Sequence, residues 1–332
     1  MGIVSLKNKS KSPKYKQIVS SIENAIANGV LKKGDKLPSL NEIKNQHSLS
    51  RDTVLMAFNE LKNRGIIESV VGKGYYVNSE NVEISKKIFL LFDELNSFKE
   101  DLYNSFLENL GENIQVDVFF HHFNNSVFSK HINDNIGDYS HYVIMPANLM
   151  DTENSIKNLP KEKVIILDQF HHKLSSYASI YQNFERDIYA GLIKGFSEIK
   201  KYEKLVLLFS EEKQPKGILK GFHNFCKEYN IQNEIIYTLK DRKPKKGEVY
   251  FVLDDKNLIR IIKKIKQEKL ILAEEIGIIS FNDTILKEVV ANGISTISTD
   301  FNLMGKTLAN MIVNNEHKII ENPSNYIKRN SL

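Results

Sequence analysis

Ser50-Arg51-Asp52-Thr53 precedes an apolar series, Val54, Ala57, Phe58 and Leu61, at helical spacing. Ser50 is a helix cap, so Arg51 and Thr53 stand in the first turn of a helix with one buried stripe and point away from it. That placement suits reading a nucleobase. A first-turn guanidinium can grip guanine O6 and N7 with two bonds, worth roughly 1–3 kcal/mol of discrimination. Thr53 can meet a thymine methyl or a phosphate. Asp52 either accepts from a cytosine amine or orients Arg51, and the second role is the one expected. Lys73 sits between Gly72 and Gly74, free to enter a narrow minor groove.

The elements that must position these groups lie on either side. Ser39 and Glu42 form a capping box that opens a preceding short helix, with Asn41 in its first turn. Gly65 stops the second helix, because a left-handed C-terminal residue costs glycine least. Strands at Ile66–Val70 and Tyr75–Val77 follow, joined by Val71-Gly72-Lys73-Gly74. Two helices, a tight turn and a basic hairpin make a winged helix-turn-helix, a module that lodges one helix in the DNA major groove. The expected DNA contacts are Ser39, Asn41, Ser50, Arg51, Asp52, Thr53, Gly72, Lys73 and Gly74; the bland reading is a solvated helix face and a mobile loop. Lys62 and Arg64, at the far end of the helix, read as surface charges favoured by its dipole. Upstream, Ser12-Pro13 starts a scaffold helix carrying Tyr15, Ile18, Val19, Ile22, Ala25 and Ile26 on one face, and Asn28-Gly29 ends it. Lys7, Lys9, Lys11, Lys14 and Lys16 are either a phosphate-grasping arm or a solvated tail, and a tail is expected.

These residues resemble the GntR-type transcription regulators. The likeness covers the first quarter of the chain and is dense: Pro13-Lys14-Tyr15, Gly34, Leu37-Pro38-Ser39, Glu42-Ile43, Leu49 through Val54, Ala57-Phe58, Gly65-Ile66-Ile67 and Gly72 through Tyr75. The resemblance implies that the second helix reads bases and the wing reaches the minor groove. Many members carry arginine where this chain has Asn41, so Asn41 ranks below Arg51.

Composition agrees with a divided chain. A length of 332 residues fits two domains. The net charge of +5 is unevenly spread: residues 1–79 hold thirteen Lys and Arg against six Asp and Glu, a charge of +7, and the remainder carries −2. A basic excess confined to the first domain is the electrostatic footprint that phosphate binding requires. The one cysteine, Cys226, excludes an internal disulfide and a cysteine-rich zinc site, and its apolar surroundings point to a buried thiol. No apolar run approaches the ~20 residues of a membrane span, and no signal peptide is legible. Met-Gly near Ser5 is too short a pattern to read as a lipidation site. A cytoplasmic protein without membrane association is expected.

Asn78 to Ser85 is short and polar, so the expected division is 1–79 winged helix-turn-helix, 80–85 linker and 86–332 body. In the body, apolar strands alternate with amphipathic helices. Strands read at Ile88–Phe92, Val116–Phe120, Tyr142–Met145, Val164–Leu167, Leu205–Phe209, Val249–Leu253, Ile276–Ser280 and Ile294–Ser298. Helices include Leu102–Leu110, Asp187–Ile199, Lys216–Glu228, Leu258–Gln267 and Met304–Asn314. Continuous apolar strands mean parallel sheets covered on both faces, as one wide sheet or two smaller ones.

Residues 86–332 resemble the effector domain of LacI-type repressors. The matching pieces run in order: VIILD ending at Asp168, Gly191 with Gly195-Phe196, Gly221-Phe222, Val252 through Asp255, Gly277 through Asp283, Ser295 through Asp300 leading to Met304-Gly305, and Ile327 through Ser331. The resemblance implies a fold that is α/β overall: a winged helix-turn-helix (α+β) plus a two-lobed, periplasmic-binding-protein-like α/β domain with two parallel sheets. It implies three crossovers between lobes, placed near 168–171, 209–213 and 281–286, and a small ligand bound between them. The whole chain is then similar to chimeric regulators of the arabinose-repressor type.

Polar residues at strand C-termini are the expected effector contacts, since open α/β sheets bind there. They are Asn96, Ser97, Asp168, Gln169, Lys216, Asp254 and Asn282, with Phe281 stacked on a sugar ring; the bland reading is that some, Asp254 or Asp283 above all, only cap helices. Ile218 stands where the LacI-type pattern often has arginine, so the pocket differs and no sugar can be named. His121-His122 and His171-His172 carry no Glu or Cys at ligand spacing, so lining the cleft mouth is preferred to binding a metal. No nucleophile elbow, phosphate-binding loop or zinc-protease helix is present, so no enzyme, cofactor or metal is expected. The expectation is a homodimeric repressor of double-stranded operator DNA, of a carbohydrate-utilisation operon, released or modulated by a small sugar-like effector bound between two lobes. An activator or corepressor-dependent regulator is the alternative on the same scaffold; a sugar-processing enzyme with a DNA-binding domain is the alternative from another class.

Overall fold

The structure is a computed structural model that describes residues 3–6 and 12–332. The head comprises α1 (Lys14–Ala27), α2 (Leu40–His47), α3 (Arg51–Asn63) and the wing strands β1 (Ile67–Val70) and β2 (Gly74–Val77). The apolar stripe of each helix meets in one core that includes Ile18, Ile22, Ile43, Val54, Phe58 and Leu61. Ser12 does not cap α1: Pro13 occupies that position, and the Ser12 carbonyl accepts instead from the Gln17 amide at 2.8 Å. Residues 3–6 dock on α1, where the Ser5 N–H donates to the Ser21 hydroxyl at 3.2 Å. Lys7, Lys9 and Lys11 lie outside the described residues.

The body opens with β3 (Lys86–Phe92), α4 (Ser97–Glu108), β4 (Ile114–Phe120), α5 (Asn125–Asp134), β5 (His141–Ile144), α6 (Glu153–Ile156), β6 (Val164–Gln169) and β7 (Ala178–Gln182). It continues with α7 (Phe184–Lys194), α8 (Phe196–Ile199), β8 (Lys204–Leu208), α9 (Lys216–Glu228), β9 (Gln232–Ile236) and β10 (Glu248–Val252). The last elements are α10 (Asp255–Gln267), β11 (Gly277–Phe281), α11 (Ile285–Val289), β12 (Ser295–Thr299), α12 (Phe301–Val313), β13 (Ile319–Glu321) and β14 (Ser324–Ile327). Among the described residues the body has two six-stranded sheets, ordered β13-β7-β6-β5-β3-β4 and β14-β12-β11-β10-β8-β9. Each contains the same five-strand order, with the second strand outside the first and the third to fifth on its other side. Each sheet also takes in one late strand. β13 joins β7 in parallel, and β14 joins β12 antiparallel.

By compactness the chain divides into two units, Met1–Phe92 with Gly111–Ile144 and Asp151–Ile165, and Asp93–Leu110 with Met145–Met150 and Ile166–Leu332. In the first, β3 pairs in parallel with β4 and β5, and Ile88 to Phe92 are all buried. In the second, β8, β10 and β11 are parallel neighbours, and the core on one face of this sheet includes Leu205, Phe222, Phe251 and Ile297.

The crossovers between sheets differ from the expected positions. The chain leaves the first sheet after β7 at Asn183, returns after β12 at Asp300, and leaves again between β13 and β14 at Asn322-Pro323. Residues 168–171 join β6 to β7 inside one sheet; 209–213 and 281–286 join neighbouring steps of the other. A strand end followed by a polar turn reads alike in sequence whether the next strand pairs in the same sheet or in another. The short edge strands β9, β13 and β14, the inner strand β7 and helices α5, α6 and α11 carry too little apolar periodicity to stand out.

Close backbone approach fixes how α12 lies on α4. A Cβ at Gly305 would come within 2.4 Å of the Leu102 carbonyl oxygen and 2.8 Å of the Phe106 nitrogen, and the Ser105 hydroxyl donates to the Asn302 carbonyl at 2.7 Å. Backbone cannot yield as a flexible side chain can. Gly305→Ala is therefore expected to cost roughly 1–3 kcal/mol in urea denaturation. Gly111→Ala, where a Cβ meets nothing within 4 Å, should stay within ~0.5 kcal/mol.

Candidate nucleic-acid interface and effector cleft

In the head, local hydrogen bonds set the two reading helices. The Ser39 N–H donates to Glu42 Oε2 at 2.6 Å and the Glu42 N–H to Ser39 Oγ at 3.2 Å, completing the capping box. These bonds from Ser39 hold the Glu42 carboxyl below its ordinary value. Ser48 turns the chain with φ of 52°, and Ser50 Oγ accepts from the Thr53 N–H at 3.2 Å. Thr53 Oγ1 lies 2.8 Å from Ser50 Oγ, so its hydroxyl serves the cap and its methyl remains. Arg51, Asp52 and Asn41 are exposed. Among the described residues no ion pair joins Asp52 to Arg51, so the expected orienting role has no contact behind it.

The wing is pinned at its base and open at its tip. Phe58 of α3 meets Tyr75 edge-on with centroids 4.8 Å apart, and Lys36 bridges Tyr76 as a third, one-residue strand. Val70 pairs with Gly74, and the Lys73 N–H donates to the Val70 carbonyl at 3.0 Å. Gly72 and Gly74 take φ of 72° and 110°, which L side chains rarely adopt, so both glycines are needed to present Lys73. Val71 and Lys73 stand exposed at the tip.

Lys62 and Arg64 are not free surface charges. Lys62 Nζ lies 2.8 Å from Asp138 Oδ1. Arg64 Nε donates to the Ile84 carbonyl at 2.6 Å and Nη2 to the Val82 carbonyl at 2.8 Å, while Nη1 pairs with Glu23 at 2.6 Å. Residues 82–84, expected to be a plain linker, are thereby held against the head, and Ile84 is buried.

The body places the C-terminal ends of β5, β6 and β7, the crossover at 183–185 and the start of α9 around a cavity of about 670 Å³. Strands of a parallel sheet all point the same way, so this edge carries the turns and free helix ends that bind ligands. Gln169 and Lys216, both expected there, line the cavity, as do His171 and His172. So do Asn148, Tyr181, Gln182, Phe170 and Phe184, which sequence reasoning missed. Of the lining residues, Asn148 donates from its amide to the Gln214 carbonyl at 2.9 Å; Lys213, the residue before Gln214, pairs with Glu94 at 3.1 Å.

Asp168 lies one bond behind the cavity wall. It is buried, takes φ of 77°, and accepts from the Gln182 amide at 2.5 Å. Lys99, itself buried and ion-paired with Asp93, stands near enough to act on it. Burial pushes the Asp168 carboxyl up to about 6; Lys99 opposes the rise and Asp93 adds to it. Lys99 could have been found: it shares the buried face of α4 with Leu102 and Phe106, an odd place for an unpaired ammonium.

The other expected contacts are placed elsewhere. Asn96 caps α4 through Lys99 N at 3.2 Å, with Ser97 exposed beside it. Asp254 caps α10, its two oxygens taken by the backbone and amide nitrogens of Asn257 at 2.8 Å each. Phe281 is packed in the core of the second sheet, 6.2 Å from Phe184, and presents no face for a sugar ring. Phe170, 39% exposed on the cavity wall, does. Asn282 is buried with φ of 58°, and its Oδ1 has no hydrogen-bond partner among the described residues. The turn it sits in is held from below by the buried Lys287, which donates to the Phe281 carbonyl at 2.8 Å and the Asn282 carbonyl at 2.5 Å. Asp283, unlike Asp254, is no cap: Arg329 grips it with two bonds of 2.6 and 2.7 Å. Of the other pair of histidines, His121 is fully buried edge-on to Phe128, and His122 is exposed.

Comparison with known proteins agrees with this architecture. Residues 14–77 match the family described as bacterial regulatory proteins, gntR family, and residues 200–331 match a periplasmic binding protein-like domain. The chain is similar to the HTH-type transcriptional repressor YtrA of Bacillus subtilis (strain 168), 29% identical over 108 residues, 32% of this chain and 83% of YtrA. It is 36% identical over 106 residues to the mannosyl-D-glycerate transport/metabolism system repressor MngR of Escherichia coli (strain K12), 32% of this chain and 42% of MngR. It is 39% identical over 66 residues to the arabinose metabolism transcriptional repressor of Geobacillus stearothermophilus, 20% of this chain and 18% of that protein. The chain thus spans less than half of the last two. Among solved structures, a LacI family transcriptional regulator from Enterococcus faecium with bound ribose superimposes with a TM-score of 0.59 at 17% identity, covering 74% of this chain and 98% of that one. The trehalose repressor from Escherichia coli gives 0.60 at 13%, covering 73% and 99%. At such identities the likeness is one of fold. The chain joins a gntR-type winged helix-turn-helix to a body with the periplasmic-binding-protein-like fold of LacI-type regulators.

The raised Asp168 pKa makes stability depend on pH. The folded state binds this proton more tightly than the unfolded chain, so the contribution of this group to stability falls as pH rises from about 4 to about 6 and is then level. Asp168→Asn should remove that loss. Its stability relative to the native chain is expected to rise across the same interval and plateau at a gain of about 1–3 kcal/mol above pH 6, measured by denaturant melts at each pH.

Proposed function

We propose that the protein is a one-component transcription repressor that binds operator DNA through α3 and the wing and responds to a small sugar-like molecule held in the body. One observation carries the DNA reading above the others. The cap of α3 is satisfied locally by Ser50 and Thr53, and the Arg51 guanidinium is exposed, with no ion pair among the described residues, at the leading edge of a head charged +7. The proposed contacts are Arg51 and Thr53 to bases, and Asn41, Lys73 and the backbone about Ser39, Ser50, Gly72 and Gly74 to phosphate or minor groove. Asp52, unpaired with Arg51, is left to accept from a cytosine amine.

The proposed organisation is a head of residues 1–79, a connecting segment 80–85, and a body 86–332 that binds effector and dimerises. A homodimer would place one winged helix on each half of a pseudo-palindromic site. A sugar-like effector is supported by the cavity chemistry: amides from Asn148, Gln169 and Gln182, the Tyr181 hydroxyl, Lys216, and the flat ring of Phe170. The names of the arabinose and mannosyl-D-glycerate repressors, and the ribose bound in a structure of like fold, point the same way. A cytoplasmic location accords with this role; no helix among the described residues is long and apolar enough to cross a membrane.

Operator sequences selected from random duplex DNA with the full chain test the reading. Arg51→Ala is expected to lose roughly 1–3 kcal/mol on the selected sequence and to relax preference at one base pair. Lys73→Ala should weaken all duplexes alike and lower the salt slope by about one. Selection that enriches no sequence at low ionic strength would remove the proposal. Thermal-shift screening with pentoses and hexoses tests the effector half, where a cavity ligand should lose its shift in Gln182→Ala.

A further inference from the structure

The C-terminal end of α3 is fastened to the start of the body by an unusually complete set of contacts. Arg64, its capping residue, spreads a planar fork over three targets: the carbonyls of Val82 and Ile84 and the carboxylate of Glu23 on α1. Its side chain is 16% exposed, and every nitrogen of the fork has a partner. Next to it, the Asn78 amide donates to the Gly65 carbonyl at 3.0 Å. The stem of Lys87, the second residue of β3, lies over Gly65 so closely that a Cβ there would meet it at 2.7 Å. Lys87 is fixed in turn by Asp117 at 3.0 Å and by the Tyr139 ring at 4.7 Å. Lys62, two residues before Arg64, pairs with Asp138.

We propose that Arg64 is a positioning residue that makes the angle of α3 follow strand β3, so that the body, and not a free tether, sets where the reading helix points. The covalent path supports a relay. From Ile84 the chain enters β3, whose buried residues run without interruption to Phe92, and the next residue is Asp93 of the Asp93–Lys99–Asp168 group behind the cavity. A strand hydrogen-bonded on both sides moves as a unit. Without the fork, residues 80–85 would be a short polar tether, and a change at the far end of β3 would not reach α3. Lysine cannot replace the arginine, because one ammonium cannot hold two carbonyls and a carboxylate in a fixed plane.

Head orientation can be read without DNA, which separates this inference from the proposed function on which its second arm rests. Spin labels at Asn59→Cys on α3 and Lys130→Cys on α5 report the head-to-body distance in the full chain. Both positions are exposed, and Cys226 is buried with its thiol pushed up to about 12, so it does not take label. The native chain should give one narrow distance distribution. Arg64→Ala and Arg64→Lys should each broaden it about twofold or more, with the head's helical signal retained; Arg64→Lys serves if the alanine variant does not fold. In the second arm, DNA selected by the native chain should show one spacing between half-sites, and DNA selected by Arg64→Lys the same half-sites at several spacings. A native distribution already broad, or widths unchanged in both variants, overturns the inference whatever the DNA result. A narrow native distribution that broadens in both variants, together with no enriched DNA, leaves the positioning role standing and removes the proposed function.

Discussion

Parallel strands end together. Because every strand of a parallel ladder runs the same way, all the turns that leave its C-terminal edge crowd one rim, and the chain there must reverse sharply into a helix. In this protein such rims bear left-handed residues, Ala147 and Asp168 on the first sheet and Asn282 on the second, with φ of 51°, 77° and 58°. Asp and Asn tolerate that region better than most residues, so the strain and the polarity of the rim have one origin. Two sheets built to the same strand order each contribute such a rim, and the polar groups that gather there are the chemistry the body has to offer.

Holding charge at that rim carries an electrostatic cost. Asp93, Lys99 and Asp168 are all buried, and a single ammonium stands between two carboxylates. One cation cannot fully compensate two anions in a place from which water is withdrawn, so Asp168 keeps its proton to unusually high pH. On the second sheet the same need is met differently. Lys287 spends its ammonium on two backbone carbonyls and Asp255, and Arg329 holds Asp283 with both arms of its fork. Both devices stiffen turns that would otherwise be loose, which is what a binding rim requires. In the head the turns around the reading helices are closed by hydroxyl caps and glycines, and Arg51 and Lys73 are left exposed; Arg64 is the head's counterpart of these two devices, with its fork on two carbonyls and a carboxylate.

Legibility followed the range of the interactions. Capping boxes, the α3 stripe and the two-glycine wing act over three or four residues, so Ser39, Ser50, Gly65 and Gly72 announced the head almost to the residue. The long apolar strands of the body were equally plain, because a strand buried on both faces has no polar alternation to confuse it. Strands with mixed composition were not. β7 reads ASIYQ and β9 reads QNEII, and neither length nor pattern separates them from loop. Without β7, the crossover after Gln182 could not be seen, and it was looked for at the ends of more conspicuous strands. The site suffered similarly. Gln169 and Lys216 lie on the cavity, but Asp254 had been claimed by its own helix cap and Phe281 by the core beneath, and both outcomes depend on neighbours distant in sequence.

By itself the sequence determined the winged head and its cationic excess, the exposed Arg51 on a capped helix, and an α/β body with polar strand ends. These are consequences of short-range hydrogen bonding, of periodicity and of net charge, all of which are written along the chain. Only the tertiary structure decided which strand ends share a cavity, where the chain passes between sheets, that a lysine in α4 is paired in the interior, and that Arg64 reaches twenty residues ahead to take hold of the backbone at Ile84. Each of those turns on which distant segments touch, and contact between distant segments is settled by the packing of the whole molecule.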